Sequence, residues 1–419
     1  MSARVILVLP TSTYRATAFL DAANVLGLDY VLASDEAPAL AARMDGRVLT
    51  VDLDSVAQAA GRAATFAERR PVDAVIGVDE ASVLVAAHIA QRLGVGHNPV
   101  DAVAATRDKR RMRALLAAAA VPQPRHVVIR GDARATAAAD AAAAVGIPCV
   151  VKPVDLAASR GVIRANTVAE LSAAVARVDA LLRRPELCGE HRDPPLLVEE
   201  FVPGPEIAIE GLLIDGALTV LATFDKPDPL DGPFFAETLY VTPSRHAPAT
   251  LDAAVAITRT ALDALGLRDG PIHAELRLAA GGPVFLEAAA RSIGGRCSSA
   301  LRFLDGDTEM SLEEVILRHA VRMPLHEPRL VSGASGVLML PVPEAGVLRA
   351  VRGVDASRKV PGVTGVELTI PPGQVIEPLP EGDRYLGFVV ARGADAAFVE
   401  ASLRQAQALI EVEVEDGHR

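Results

Sequence analysis

Tryptophan is absent from the 419-residue sequence, and aromatic residues of all kinds make up 3% of it. Half of the residues are hydrophobic, so the core must be packed from alanine, valine, leucine and isoleucine. Cysteine is scarce: Cys149, Cys188 and Cys297 are odd in number and far apart. No CxxC pair or Cys/His spacing suggests zinc, and no disulfide framework is implied. Positive charge is also short. Lys and Arg total 42 against 53 Asp and Glu, a formal net charge of −11. That balance excludes a basic nucleic-acid footprint and suits solubility. No apolar run reaches the roughly 18 residues of a membrane span. The run 5–9 behind Arg4 is too short for the core of a signal peptide. Two glycine signatures for nucleotides are missing too. "PTSTYR" follows the first strand where a dinucleotide fold has GxGxxG, and GxxxxGK[ST] is absent. The expectation is a cytoplasmic protein with neither nucleic-acid nor membrane partners, long enough for two to four domains.

What is present begins with strand–helix alternation. "RVILVLP", "DYVLAS" and "VDAVIGVDE" are short apolar runs, and "ATAFLDAANVLGL" has helical spacing. Their order predicts a parallel sheet with helices on its faces. The pattern changes near Asn98-Pro99. "DAVAATRDKRRMRALLAAAAV" reads as one helix stopping near Val121-Pro122, and the alanine-rich stretch 133–144 as another. The polar loop "RPELCGEHRDPP" precedes several strands punctuated by Gly and Pro. Helices are expected over 250–266, near 309–323 and near 395–410, with short strands from about Arg329 onward. The division expected is an N-terminal α/β domain over 1–97, a central domain over 98–328 with a lid near 124–200, and a β-rich C-terminal unit over 329–419.

The hairpin "PIHAELRLAAGGPVFLEAAAR" carries Glu275 and Glu287 in otherwise apolar strands. Singly, each reads equally well as the solvated side of a sheet. As a pair they suggest a magnesium site, since Mg²⁺ prefers carboxylate oxygens and shares its shell with substrate phosphates. Strand alternation sets a condition. A two-residue turn at Gly281-Gly282 would send the two carboxylates to opposite faces. A three-residue turn, or a bulge, would put them together.

Lys152 ends the apolar run "CVVKPVD", where lysine is rarely core. The loop behind it holds Ser159, Arg160 and Gly161, which can offer backbone N–H groups and a hydroxyl to phosphates. Lys109 lies in the basic segment "TRDKRRMR", where a solvated charge is the plainer reading. "VEEFVPGPE" sets Glu199 and Glu200 before Phe201 and Val202, with Glu206 after a Gly-Pro turn. An acid there can serve a ribose, and an extended linker an adenine edge; an ordinary polar strand end fits the same residues.

The order of these pieces resembles the ATP-grasp superfamily over nearly the whole chain. "LPTSTYRATAFLDAANVLGLDYVLASDE", "TFDKPDPLDGPFFAETLYVTPS" and "GVLMLPVPEAGVLRAVRGVD" resemble its L-amino-acid ligase branch. The resemblance implies an ATP-grasp fold with a parallel-sheet N-terminal domain, a central lid and a C-terminal β-rich domain. It implies ATP, with Mg²⁺ or Mn²⁺, as cofactors. Lys109 and Lys152 would contact phosphates, and 159–161 would close over them. Residues 199–202 would hold adenine and Glu206 the ribose. Glu275 and Glu287 would bind the metal, with Arg291 on the transferring phosphate. The implied reaction activates a carboxylate as an acyl phosphate for attack by an amine, with small-molecule substrates; a homodimer is compatible with it. Competing readings are a carboxylase-type or nucleotide-biosynthesis enzyme, and a non-catalytic nucleotide-binding module.

Two positions depart from the superfamily pattern. Ala289 stands where a metal-binding Asn is usual, and "DLAASRG" is poor in glycine. On the substrate side the candidates are Arg291, Arg296, Gly294, Gly295, His273, Lys226 and Glu237, with Asp225 nearby. Each of these also has a structural reading. Cys297 is expected to be a buried bystander.

Overall fold

The computed structural model describes residues 2–36, 46–130, 137–187 and 194–416. Cys188 and the start of the alanine-rich stretch lie outside the described residues.

The first sheet is wholly parallel. Its strands are β1 (Arg4–Val8), β2 (Asp29–Ser34), β3 (Val48–Thr50) and β4 (Ala74–Gly77), in the order β3-β2-β1-β4. Val5 and Leu7 enter one hydrophobic cluster, Ile6 and Val8 another. An unbroken apolar run is what a strand covered on both faces requires. The chain runs outward from β1 to β3, then returns to the other side of β1 as β4. The carboxyl ends of β1 and β4 therefore flank a topological switch point, the usual position of a ligand crevice in such sheets.

A second, antiparallel sheet contains β5 (His126–Ile129), β6 (Cys149–Pro153), β7 (Ile163–Ala165) and β8 (Leu196–Glu200), in the order β5-β8-β6-β7. Helix Val168–Leu182 packs on it through Leu171, Val175, Val178 and Leu182, spaced three and four apart. Thr167 caps that helix by accepting the Glu170 N–H.

The largest sheet gathers β9 (Glu206–Ile214), β10 (Ala217–Lys226), β11 (Leu239–Thr242), β12 (Gly270–Ala279) and β13 (Gly282–Ala289). A small sheet of β14 (Phe303–Asp305), β15 (Thr308–Met310) and β16 (Arg329–Leu330) follows. Then come β17 (Ala334–Leu340), β18 (Gly346–Arg352), β19 (Val363–Leu368), β20 (Val375–Ile376), β21 (Gly387–Gly393) and β22 (Glu411–Glu415). Three of these, β17, β21 and β19, continue the large sheet in the order β13-β12-β9-β10-β11-β17-β21-β19. The C-terminal segment is thus hydrogen-bonded into the central one through β11 and β17.

The helices stand at Pro248–Leu265, Leu312–Ala320 and Ala396–Ala408, close to the expected spans. One expectation fails. The helix anticipated from 101 to 121 is two helices, Val100–Arg107 and Lys109–Ala118. Asp108 breaks it: its backbone is extended, and its carboxylate caps the second helix by accepting the N–H groups of Arg110 and Arg111. No helix among the described residues is long and apolar enough to cross a membrane.

Asn98, where the sequence pattern changes, is a buried staple. Its Oδ1 accepts from the N–H groups of Arg268 (2.6 Å) and Asp269 (2.9 Å), and its Nδ2 donates to the Asp269 carbonyl (2.5 Å). An Asn98→Ala chain leaves buried backbone groups unpaired and should lose about 1–3 kcal/mol of unfolding free energy in a urea titration.

Candidate active site

Glu275 and Glu287 are directly paired across β12 and β13. The turn is not the three-residue loop that would achieve this by itself. Ala279 pairs with Gly282, leaving the two-residue loop Ala280-Gly281, and Leu276 pairs with Phe285. A bulge between these points makes Leu286 an extra residue, which restores the two carboxylates to one face. A bulged residue leaves ladder groups unpaired. Here Arg113 Nη2 donates to the Leu286 carbonyl at 2.7 Å.

Arg113 is itself buried, and its Nε donates to Glu199 at 2.5 Å. The other Glu199 oxygen receives Lys152 Nζ at 2.6 Å. Burial alone would raise the Glu199 carboxyl, but Arg113 and Lys152 overcome it and hold its pKa down to about 2. Glu199 therefore acts through Lys152 and Arg113. Lys152, Glu199, Glu200, Phe201, Val202 and Glu206 line a cavity of about 110 Å³. Arg125 Nε holds Glu200 at 2.5 Å, and the Arg164 guanidinium lies 4.0 Å above the Phe201 ring.

Beside this cavity lies a larger one of about 780 Å³. Lys109, residues 156–159, Glu237, Glu275 and Glu287 line both, so the two spaces meet at the paired carboxylates. Lys109 Nζ donates to the Leu156 carbonyl at 2.8 Å and lies 3.6 Å from Glu287. The loop is shifted from its expected place. Ala157, Ala158 and Ser159 face the cavities, with φ of +54° and +57° at Ala158 and Ser159. Arg160 and Gly161 do not line either one. Arg160 Nε donates to the Glu381 carbonyl, its guanidinium reaches Asp383, and the Gly161 N–H donates to Pro380.

Lys226 was expected along the acceptor site. Instead it is buried at the centre of three carboxylates, with Nζ 2.6 Å from Glu206 and 2.7 Å from both Glu237 and Glu275. Burial would lower its pKa, yet the three acids raise it well above the usual lysine value. Arg277 supplies a second cation to Glu206 at 2.9 Å. His273 bridges Glu210 (2.6 Å) and Glu275 (3.2 Å). Against the desolvation of its ring, these acids raise its pKa to about 9. Burial opposes ionisation of Glu275, but Lys226 and His273 keep its carboxyl well below the usual range.

Arg291 lines the larger cavity and is held from behind. Its Nε donates to Glu80 at 2.6 Å, and Glu80 also binds Arg107 at 2.8 Å. Burial would raise Glu80, but the two guanidiniums bring it to about 2. Gly294 and Gly295 line the same cavity. Gly295 has φ +59°, and a Cβ there would fall 2.0 Å from Met339 Cε, so the turn needs glycine. Its N–H donates to the Tyr14 hydroxyl at 2.6 Å. Arg296 is not among the lining residues: it pairs with Glu367 and covers the Tyr14 ring. Asp225 is also elsewhere, accepting from Ser244 and Arg245. Cys297 is buried and free.

Sequence reasoning missed Glu80, Arg107, Arg113, Glu210 and Tyr14. Arg113 left a trace, since it shares the buried helix face of Met112 and Leu116.

The donor chemistry fits a hard divalent cation. Glu287 is partly exposed and Glu275 faces it. Oxygens of Glu206, Glu237 and Glu275 lie within 4.8 Å of one another around Lys226. Ala289 sits one alternation beyond Glu287, opposite His273, and offers only a methyl group. The hairpin's own contribution is thus two carboxylates.

Replacing Lys226 by Met would strand buried carboxylates. Unfolding by urea at neutral pH should show a loss of about 3–5 kcal/mol. The loss should shrink as pH falls, because protonation relieves the stranded acids.

Three family models match the chain: the ATP-grasp N-terminal domain over residues 20–97, the ATP-grasp domain over 145–300, and the L-amino acid ligase C-terminal domain 2 over 338–415. An uncharacterized protein, y4rH, of Sinorhizobium fredii is 29% identical over 305 residues, 71% of this chain and 59% of that protein. An alanine–anticapsin ligase of Bacillus subtilis is 29% identical over 239 residues, 53% of this chain and 49% of that protein. The chain spans about half the length of the curated relatives it matches. In fold, it superposes on the crystal structure of an L-amino acid ligase from Bacillus licheniformis with a TM-score of 0.82, covering 99% of each chain at 23% identity. The three models follow one another along a single chain: it carries an ATP-grasp N-terminal domain and an ATP-grasp domain, followed by an L-amino acid ligase C-terminal domain 2, and it resembles the L-amino-acid ligase branch of the ATP-grasp family.

Proposed function

We propose that the protein is an ATP-dependent carboxylate–amine ligase acting on amino-acid substrates. The observation that carries this reading is the junction: a narrow cavity and a wide polar one meet at Glu275, Glu287 and Lys109. The residues read as a nucleotide site line the narrow space, and the wide one leaves room for the molecules to be joined. Relatives named as an alanine–anticapsin ligase and a D-alanine–D-alanine ligase support the same reading.

In this proposal adenine lies along residues 200–202, with Glu206 toward the ribose. Lys109, Lys152 and the loop 156–159 face the phosphates. Glu275 and Glu287 would hold Mg²⁺, which would supply positive charge to the nucleotide's phosphates. A carboxylate oxygen of the first substrate attacks the γ-phosphorus. The bond from that phosphorus to the bridging oxygen breaks, and ADP leaves with the electron pair. The amine nitrogen of the second substrate then attacks the acyl carbon. The bond from that carbon to the phosphate oxygen breaks, phosphate departs, and the nitrogen gives up a proton. Arg291, fixed by Glu80, neutralises charge on the transferred group, while Lys109 and Lys152 are aimed by Glu287 and Glu199. The protein's work is positioning and charge stabilisation, so no nucleophilic side chain is needed.

Phosphate release from ATP and Mg²⁺ should rise when paired amino acids are added, with the dipeptide detected by mass. ATP that binds but is turned over with no acid–amine pair contradicts the ligase reading. Glu287→Gln should lower kcat by about 10²-fold or more while leaving the melting temperature near that of the parent chain. Unchanged kcat removes Glu287 from the metal site.

A further inference from the structure

The loop 156–159 does not hold its shape by itself. Ala158 and Ser159 have φ of +54° and +57°, a backbone conformation that is unfavourable for any residue but glycine and persists where neighbours impose it. The next two residues supply an anchor. The Gly161 N–H donates to the Pro380 carbonyl at 2.8 Å, and Arg160 Nε donates to the Glu381 carbonyl at 2.7 Å. Both acceptors lie in the segment 377–383, which connects β20 to β21.

The same segment grips the helix that covers the second sheet. Arg177, in Val168–Leu182, donates twice to the Glu381 carboxylate, at 2.6 and 2.8 Å. Arg184, just beyond that helix, donates twice to Glu377, at 2.7 and 2.8 Å. Arg160 also reaches Asp383 at 3.3 Å. Three arginines on one body thus face three acids on another. Paired guanidinium–carboxylate bonds are directional, and they gain from acting as a network. Backbone contacts add to them at the edge strand β7, where the Arg164 N–H donates to the Pro233 carbonyl at 2.9 Å. At its far end the segment reaches the wide cavity, which Asp383, Arg384 and Tyr385 line. It therefore touches the phosphate-facing loop, the helix of the second sheet and the wide cavity at once.

We infer that segment 377–383 is a latch: its acids hold Arg160, Arg177 and Arg184 so that the second sheet stays closed over a bound nucleotide, and its release sets the rate at which nucleotide leaves. This rests on the nucleotide site of the ligase reading and adds a control on product release. The three arginines are positioning residues, since none of them lines either cavity and each acts through the loop 156–159 or the sheet behind it. Opening relieves the strained backbone of Ala158 and Ser159, whereas phosphates bonded to that loop favour closure. Part-exposed ion pairs bias this balance and still let go within a turnover.

The test is stopped-flow release of the fluorescent nucleotide N-methylanthraniloyl-ADP from the full chain with Mg²⁺, chased by excess ADP. Arg177→Met and Glu381→Gln should each speed release about 3- to 10-fold. The two together should be no faster than either alone, because one pair is lost once. Arg184→Met removes the other pair and should add its own factor to that of Arg177→Met. Melting temperatures check that each variant is folded. Release that is unchanged or slower in all of these variants overturns the latch, as do factors for Arg177→Met and Glu381→Gln that multiply in the double variant. A parent chain that does not bind the fluorescent nucleotide overturns the latch and the nucleotide site together, whereas binding with unaltered release sinks the latch alone.

Discussion

Leu286 is the extra residue that lets Glu287 face Glu275, and its carbonyl is taken by Arg113. From that one backbone bond a line of charge runs to Glu199 and on to Lys152. The bulge thus does two things at once. It sets the two carboxylates on one face, and it fixes the cation that orients a lysine in the narrow cavity. A regular hairpin with the same two-residue turn would send Glu287 to the opposite face and leave Arg113 without that acceptor.

Charge compensation organises the rest. Buried ions survive where partners satisfy them, and here the partners come from separate strands. Glu206 begins β9, Lys226 ends β10, Glu237 precedes β11 and Glu275 lies in β12, so one ammonium ties four pieces of the sheet. Glu80 ties the loop after β4 to Arg291 beyond β13 in the same way. The first sheet and the largest sheet therefore share the cavity through ion pairs that also fix the direction of its charged side chains.

Much of the fold was legible because it depends on local pattern. The unbroken runs of β1 and β2 signalled a parallel sheet covered on both faces, and the helices at 248–265 and 396–408 followed their apolar spacing. The residues of the site were legible where a charge interrupts an apolar run, as Glu275, Glu287 and Lys152 do. What local pattern could not give was side-chain direction. Arg160 looked like a phosphate-loop residue but is drawn to Glu381 and Asp383, more than 200 positions away. Lys226 looked like an acceptor-site residue because the three acids that enclose it, 11 to 49 positions away, are brought together only by the pairing of the strands. Asp108 ended a helix that composition alone would continue, since its cap bonds outweigh a modest propensity.

The central claim is that the Glu275–Glu287 pair is where metal and nucleotide meet the molecules to be joined. The most direct measurement is a crystal structure of the full chain with Mn²⁺ and a non-hydrolysable ATP analogue, with the ion located by anomalous scattering. The account predicts a manganese peak bonded to both Glu275 and Glu287, the adenine beside Val202, and the γ-phosphate opening toward Arg291. A peak bonded to neither carboxylate, or a nucleotide seated in the wide cavity, would contradict it.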